Sequence, residues 1–377
     1  MLKRFLIFIL FTYCVQLTAQ PDNTDAYYLK VQGHFGFIMQ HRNTMGHLVN
    51  GHIGGAEFNF SKPTKGTKLW HYENNFPEQG ICVNYTYLSN KEQLGDIIAI
   101  APFYDVPLSD KDKPSRLYMR VSSGLGIATK KFDPLENHKN NVVSATINAY
   151  INFKWLYKFN LGERLRLETG LSFSHISNGK YKAPNLGVNM LTFNSGLTYK
   201  IKEKKHKEII GIDSSTKAKS KHELYAIAAY GVNETEPPGG PKFLAQSYTF
   251  GYYFNKRNTH KFGGGFDAFY CQSVMQDIFD DDSVRYANKA KYIQIGMRAS
   301  YSYCIGRLAF PVEFGYYLHT NFTGDGMFYH RIGARYYTPN NIILTFSLKT
   351  HWAVAHYFEF GAGYRLPVKK KAKKIIN

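Results

Sequence analysis

The chain has 377 residues and a formal charge of +19, with 29 Tyr, 28 Phe and 32 Gly but only 20% charged residues. Its longest apolar run, Phe5 to Phe11 with Tyr13 to Val15 just beyond, is far shorter than the roughly 20 residues a helix needs to cross hydrocarbon, which excludes a helical membrane protein. So aromatic a chain with so little charge is also unusual for a soluble enzyme.

Lys3 and Arg4 precede that run and Leu17-Thr18-Ala19-Gln20 ends it, which predicts a secretory signal over residues 1–19 rather than a packed N-terminal helix. Cys14 lies within the run without the small residues of a lipoprotein site before it, so no lipid anchor is expected. The other cysteines, Cys82, Cys271 and Cys304, are odd in number and widely spaced. They suit neither a disulfide framework nor a zinc site and are expected to be packing residues. His34, His41, His47 and His52 lie seven, six and five residues apart, unlike metal-ligand pairs, in a stretch that reads as a surface loop. No metal and no cofactor is predicted.

From Lys30 to Leu366 one pattern recurs: segments of 9 to 15 residues with an apolar side chain at every second position, divided by turn-rich stretches. Arg164 to Ser177 is the clearest. Leu165, Leu167, Thr169, Leu171 and Phe173 share one face, and Arg166, Glu168, Gly170 and Ser172 share the other. Ile342 to Lys349 and Phe358 to Leu366 alternate in the same way. A soluble sandwich also alternates. Here, however, the non-apolar face is rich in Gly, Ser and charge, the segments are long, and aromatics gather near their ends as in membrane-interface girdles. The expected fold is therefore all-β, a transmembrane antiparallel barrel of about 14 to 16 strands in the bacterial outer membrane.

The segment Phe173 to Asn189 carries the chemistry. His175 and Ser177 are two apart on one strand and share its outward face, as a base and a nucleophile must. Asn178, followed by Gly179, is the candidate donor to a developing oxyanion. Asn189 opens the next strand with the same outward parity, where it can orient the imidazole as an amide does in some cysteine proteases. A polar strand end leading into a turn would look the same.

Residues 203–221 follow as a Lys-rich segment: eight Lys fall between Lys200 and Lys221, and five more between Lys369 and Lys374 in a basic tail, residues 367–377. The charge thus belongs to a linker and a tail rather than to a basic face, which argues against nucleic-acid binding. The segment is expected to be a long periplasmic connection between strands 20–202 and further strands 222–366 of one enlarged barrel; the alternative is a link between two small barrels, each needing its own closure. Asp280-Asp281-Asp282 lacks the ligand pattern of a calcium loop. His351 falls on the lumenal parity of its strand.

The run His175-x-Ser177-Asn178, then Pro184-Asn185-x-Gly187 and a descending aromatic strand, resembles the outer-membrane lipid A 3-O-deacylases (PagL type, acyloxyacyl hydrolases). The resemblance is most specific over residues 171 to 201. It implies an eight-stranded barrel that cleaves an ester-linked acyl chain of lipid A or a related outer-leaflet lipid without a cofactor, with His175 as base, Ser177 as nucleophile and Asn178 at the oxyanion. The family's Glu position is occupied by Asn189. The reading from a different class is a non-catalytic barrel, a channel or structural protein that keeps the hairpin for packing.

Overall fold

A computed structural model describes residues 26–109, 115–202, 221–235, 237–274, 293–322, 325–352 and 354–368. The expected signal (1–19), nearly all of the linker, the Asp280 to Asp282 run and the tail beyond Val368 lie outside the described residues. The strands are β1 (Tyr27–Ile38), β2 (His52–Pro63), β3 (Glu78–Tyr87), β4 (Asp96–Pro107), β5 (Ser115–Ala128), β6 (Ile147–Asn160), β7 (Leu165–Ser177), β8 (Val188–Lys202), β9 (His222–Glu234), β10 (Lys242–Arg257), β11 (His260–Cys271), β12 (Ile293–Ile305), β13 (Leu308–His319), β14 (Phe328–Tyr337), β15 (Ile342–His351) and β16 (Val354–Val368). Helical structure includes a 3-10 turn, Asn43–Leu48, and a one-turn helix, Leu69–Glu73.

The strands form two closed antiparallel barrels of eight, β1 to β8 and β9 to β16. The strand count matches expectation; a single enlarged barrel does not. The hydrogen bonds of β8 go to β1, with Leu197 opposite Val31 and Met190 opposite Ile38, and those of β16 go to β9, with Glu359 opposite Gly231. Each half therefore has no free edge, which is what closure achieves for the backbone. The chain divides into two compact units, residues 1–177 with 187–213, and residues 178–186 with 214–377.

Alternation sets the two faces of each barrel. In β1, Leu29, Val31 and Phe35 are exposed on the outside while Lys30, Gln32 and His34 are buried inside. In β7, Leu171 is 53% exposed, whereas Glu168 and Ser172 are buried. An outer skin of Leu, Phe, Val and Tyr is what hydrocarbon requires.

An eight-stranded barrel is just wide enough for side chains to fill, and here they are charged and paired. In the first barrel Arg120 grips Asp105 with Nε (2.5 Å) and Nη2 (2.9 Å) and reaches Glu57 Oε1 with Nη1 at 3.0 Å. Lys154 pairs with Glu57 at 2.6 Å, Lys158 with both Glu78 and Asp105 at 2.8 Å, and Lys30 with Glu168. In the second barrel Arg331 bridges Glu359 and Asp267, Arg298 donates to Asp267 at 2.8 Å, and Arg335 to Glu313 at 2.8 Å. Tyr225 stacks on Tyr253 among them, with ring centroids 4.9 Å apart. The three described cysteines are buried and unbridged, as expected of packing residues.

Candidate active site

β7 ends at Ser177 and β8 begins at Val188, and their antiparallel register sets His175 directly opposite Asn189. The consequence is a hydrogen-bonded chain. Ser177 Oγ donates to His175 Nε2 at 2.9 Å, and His175 Nδ1 donates to Asn189 Oδ1 at 2.6 Å. Both bonds require one tautomer, with the proton on Nδ1 and the lone pair of Nε2 facing the serine, the arrangement of a general base.

The outward parity of this pair is kept at the strand end, but the pair is not bare. His175 is half-buried and Ser177 is buried, 2% exposed. Gly187 provides part of the cover. A Cβ on it would lie 2.8 Å from His175 Cε1 and 3.2 Å from Ser177 Cβ, and its φ of +74° is one that glycine adopts without strain. Its N–H donates to Val142 O at 2.9 Å, tying the approach to the loop after β5. The glycine of the sequence motif is thus set by close backbone approach to the imidazole.

Residues 178–186 group with the second unit. Asn178 organises this loop: its Nδ2 donates to Lys182 O at 3.0 Å, its Oδ1 accepts from Lys182 N at 3.3 Å, and its N–H donates to Asn185 Oδ1 at 3.0 Å. Gly179 has a φ of +63°. Asn185, which sequence reasoning did not assign, keeps a buried Nδ2 with no hydrogen-bond partner among the described residues. Glu168, the nearest acid along β7, is fully buried in the lumen with Lys30, Lys158 and Arg166.

The residue that sequence reasoning missed is His41. Asn189 Nδ2 donates to His41 Nδ1 at 3.2 Å. The signal was available only through topology: once β1 pairs with β8, the end of β1 lies beside the start of β8, and Met39 N–H donates to Asn189 O at 2.8 Å. The other histidines of that stretch go elsewhere, and two of them correct the loop reading. His34 lies within β1, with Nε2 3.1 Å from Thr86 Oγ1, and His52 opens β2, with Nδ1 3.3 Å from Gly36 O. His47 is in the 3-10 turn, with Nε2 2.8 Å from Lys139 O.

In the second barrel Asp325, His351 and His356 bring possible ligand atoms within 4.8 Å of one another. The Lys349 ammonium donates to His356 Nδ1 at 3.4 Å, which leaves the proton of the neutral ring on Nε2, and Tyr317 Oη lies 2.9 Å from His351 Nε2. A buried ammonium beside the cluster opposes a second cation, so these residues do not fit a metal centre. His351 is buried inside, as its parity predicts.

The family described as lipid A 3-O-deacylase (PagL) matches residues 13–198, and that described as acyloxyacyl hydrolase, C-terminal domain, matches residues 222–370. No curated protein matches the chain. Among solved structures, Neisserial surface protein A is similar with 11% identity and a TM-score of 0.30, over 46% of this chain and 97% of its own. The Acinetobacter baumannii outer membrane protein Omp33 is similar with 9% identity and a TM-score of 0.17, over 92% of this chain and 100% of its own. Scores this low carry no argument. Closed barrels with apolar outer skins, together with the family matches, place the chain in the bacterial outer membrane.

Proposed function

The chain belongs to the family of lipid A 3-O-deacylases (PagL) and acyloxyacyl hydrolases, and from that premise we propose that it removes an ester-linked acyl chain from lipid A, or a related outer-leaflet lipid, by a Ser/His mechanism. The observation that carries the reading is the bonded series Ser177 Oγ, His175 Nε2, His175 Nδ1, Asn189 Oδ1 at the end of a hairpin whose outer face is apolar. Leu171 and Phe193 are opposite each other on that face and exposed. An acyl chain lying in the outer leaflet beside them would present its ester at the strand end.

The chemistry follows from the geometry. As Ser177 Oγ attacks the ester carbonyl, its proton passes to His175 Nε2 and the carbonyl oxygen takes the negative charge. Collapse expels the sugar oxygen, which recovers the proton from Nε2 and leaves an acyl-serine. Water, deprotonated by the same nitrogen, attacks the acyl carbon and releases the fatty acid, restoring Ser177. We assign the oxyanion to the residues that follow Ser177 directly in the chain, Asn178 and Gly179. Asn189 keeps the imidazole in the productive tautomer. A channel is disfavoured, because paired charges and aromatics fill each lumen among the described residues.

Mass spectrometry of lipid A from cells with and without the protein tests the proposal. The wild type should remove one acyl chain, and Ser177→Ala should remove none while its barrel still migrates heat-modifiably on gels. An unchanged lipid A profile with folded wild type would sink it.

A further inference from the structure

We propose that His41 is a positioning residue for this hydrolysis, holding the Asn189 amide with its oxygen toward His175; the proposal rests on the Ser/His reading of the site. A carboxylate at position 189 would present equivalent oxygens to the imidazole, and either would accept the Nδ1 proton. An amide has two unlike ends. With Oδ1 toward His175, the ring must carry its proton on Nδ1 and its Nε2 is free to take the serine proton. With the amide turned over, Nδ2–H would donate to Nδ1, the ring proton would move to Nε2, and the base would be lost. Something must select between the two.

His41 is placed to do so. Its Nδ1 accepts from Asn189 Nδ2 at 3.2 Å, and the turned amide, offering a carbonyl oxygen there, would be satisfied only if His41 moved its own ring proton to Nδ1. The same contact takes up part of the positive charge that builds on the relay when His175 is protonated, since each hydrogen bond in such a chain polarises the next. The backbone on either side of His41, which is exposed, makes local hydrogen bonds. Met39 N–H donates to Asn189 O at 2.8 Å two residues earlier, and Gln40 Nε2 donates to Arg42 O at 3.2 Å across it. The amide at position 189 and the imidazole behind it are then one device.

The test compares His41→Ala and His41→Asn in the full-length protein and in an Asn189→Asp background, using deacylation kinetics on purified lipopolysaccharide in detergent and 15N spectra of the histidine rings, with His175 identified by its loss in His175→Gln. His41→Ala should lower kcat by roughly 3- to 10-fold, the value of one hydrogen bond, with KM little changed. His41→Asn, whose Oδ1 can accept near the place of Nδ1, should recover most of it. In Asn189→Asp the same His41→Ala change should cost less than about twofold, because a carboxylate needs no orienting. The His175 ring should be the Nδ1–H tautomer in the wild type and a mixture in His41→Ala. Equal losses in both backgrounds, no loss in either, or an unchanged His175 tautomer in His41→Ala would overturn the proposal. A folded wild type that does not hydrolyse would instead refute the esterase reading, and the ring spectra would still decide about His41.

Discussion

In the proposed mechanism Asn189 takes the place of an acid that would hold the His175 imidazole, and the energetic difference between the two can be argued from the bond it makes. In a serine protease, replacing the acid by its amide costs about 10⁴ in kcat, largely because the amide stabilises the wrong tautomer. Here the amide oxygen faces His175 Nδ1 at 2.6 Å, so the tautomer is the right one and what is missing is the full charge. A charge-assisted hydrogen bond is roughly twice as strong as a neutral one, so Asn189→Asp should raise kcat by about tenfold. Asn189→Leu, which leaves Nδ1–H without an acceptor, should lower it by about two orders of magnitude or more. Equal rates for the three proteins in a deacylation assay would remove Asn189 from the mechanism. His175, Ser177 and Asn189 were legible because alternation along two adjacent strands puts them on one face. His41 was not, because it lies 148 residues from Asn189 and reaches it through barrel closure, which local periodicity does not encode. Nor did the sequence reveal how far the pair is covered: outward parity says which way Ser177 points, while part of its cover comes from the close approach of Gly187.

At the scale of the strand, β7 was read correctly residue by residue because a two-residue period has only two registers, and charge on one face decides between them. Glu168 lies among Lys30, Lys158 and Arg166 inside the barrel, and Leu171 stands outside it. The lumen beside this strand is packed: Ser172 is buried and accepts from Asn152 Nδ2 at 3.0 Å, so a large side chain there meets packed neighbours as well as charge. The orientation is better tested from outside. Leu171→Arg sets a charge against hydrocarbon and should cost roughly 2–4 kcal/mol if it lies near the midplane, falling toward the interface. Leu135, in the loop after β5 and 89% exposed, offers the same substitution in water, and Leu135→Arg should leave assembly unchanged. Folding titrations in lipid vesicles compare the two. If Leu171→Arg assembled as readily as Leu135→Arg, the apolar face would not be the lipid face, and an ester presented from the outer leaflet would lose its route to Ser177.

For the whole molecule, strand number was legible and closure was not. Sixteen alternating segments serve one barrel of sixteen or two of eight equally well, because alternation fixes the faces of a strand but not its partners. The choice lies in which edge β8 finds. Pairing it with β1 closes the first eight and lets the inward groups of that ring satisfy one another: Arg120 on β5 reaches Glu57 on β2 and Asp105 on β4, and Lys158 on β6 reaches Glu78 on β3. Asp105 is the neighbour of Arg120 on the adjacent strand, but the contacts of Arg120 with Glu57 and of Lys158 with Glu78 cross a narrow lumen. In a ring of sixteen, much wider because diameter grows with strand number, the same side chains would face water and the cross-lumen pairs would separate. The second eight repeat the logic with Arg331, Asp267 and Glu359. If closure is local in this way, each half contains everything its backbone and lumen need. Residues 20–202 and residues 222–377, expressed separately behind an export signal, should each assemble into a species that migrates faster unboiled than boiled. Assembly only on co-expression would mean that β8 pairs with β9 in the membrane. The lumenal ion pairs would then have to be partnered in some other way.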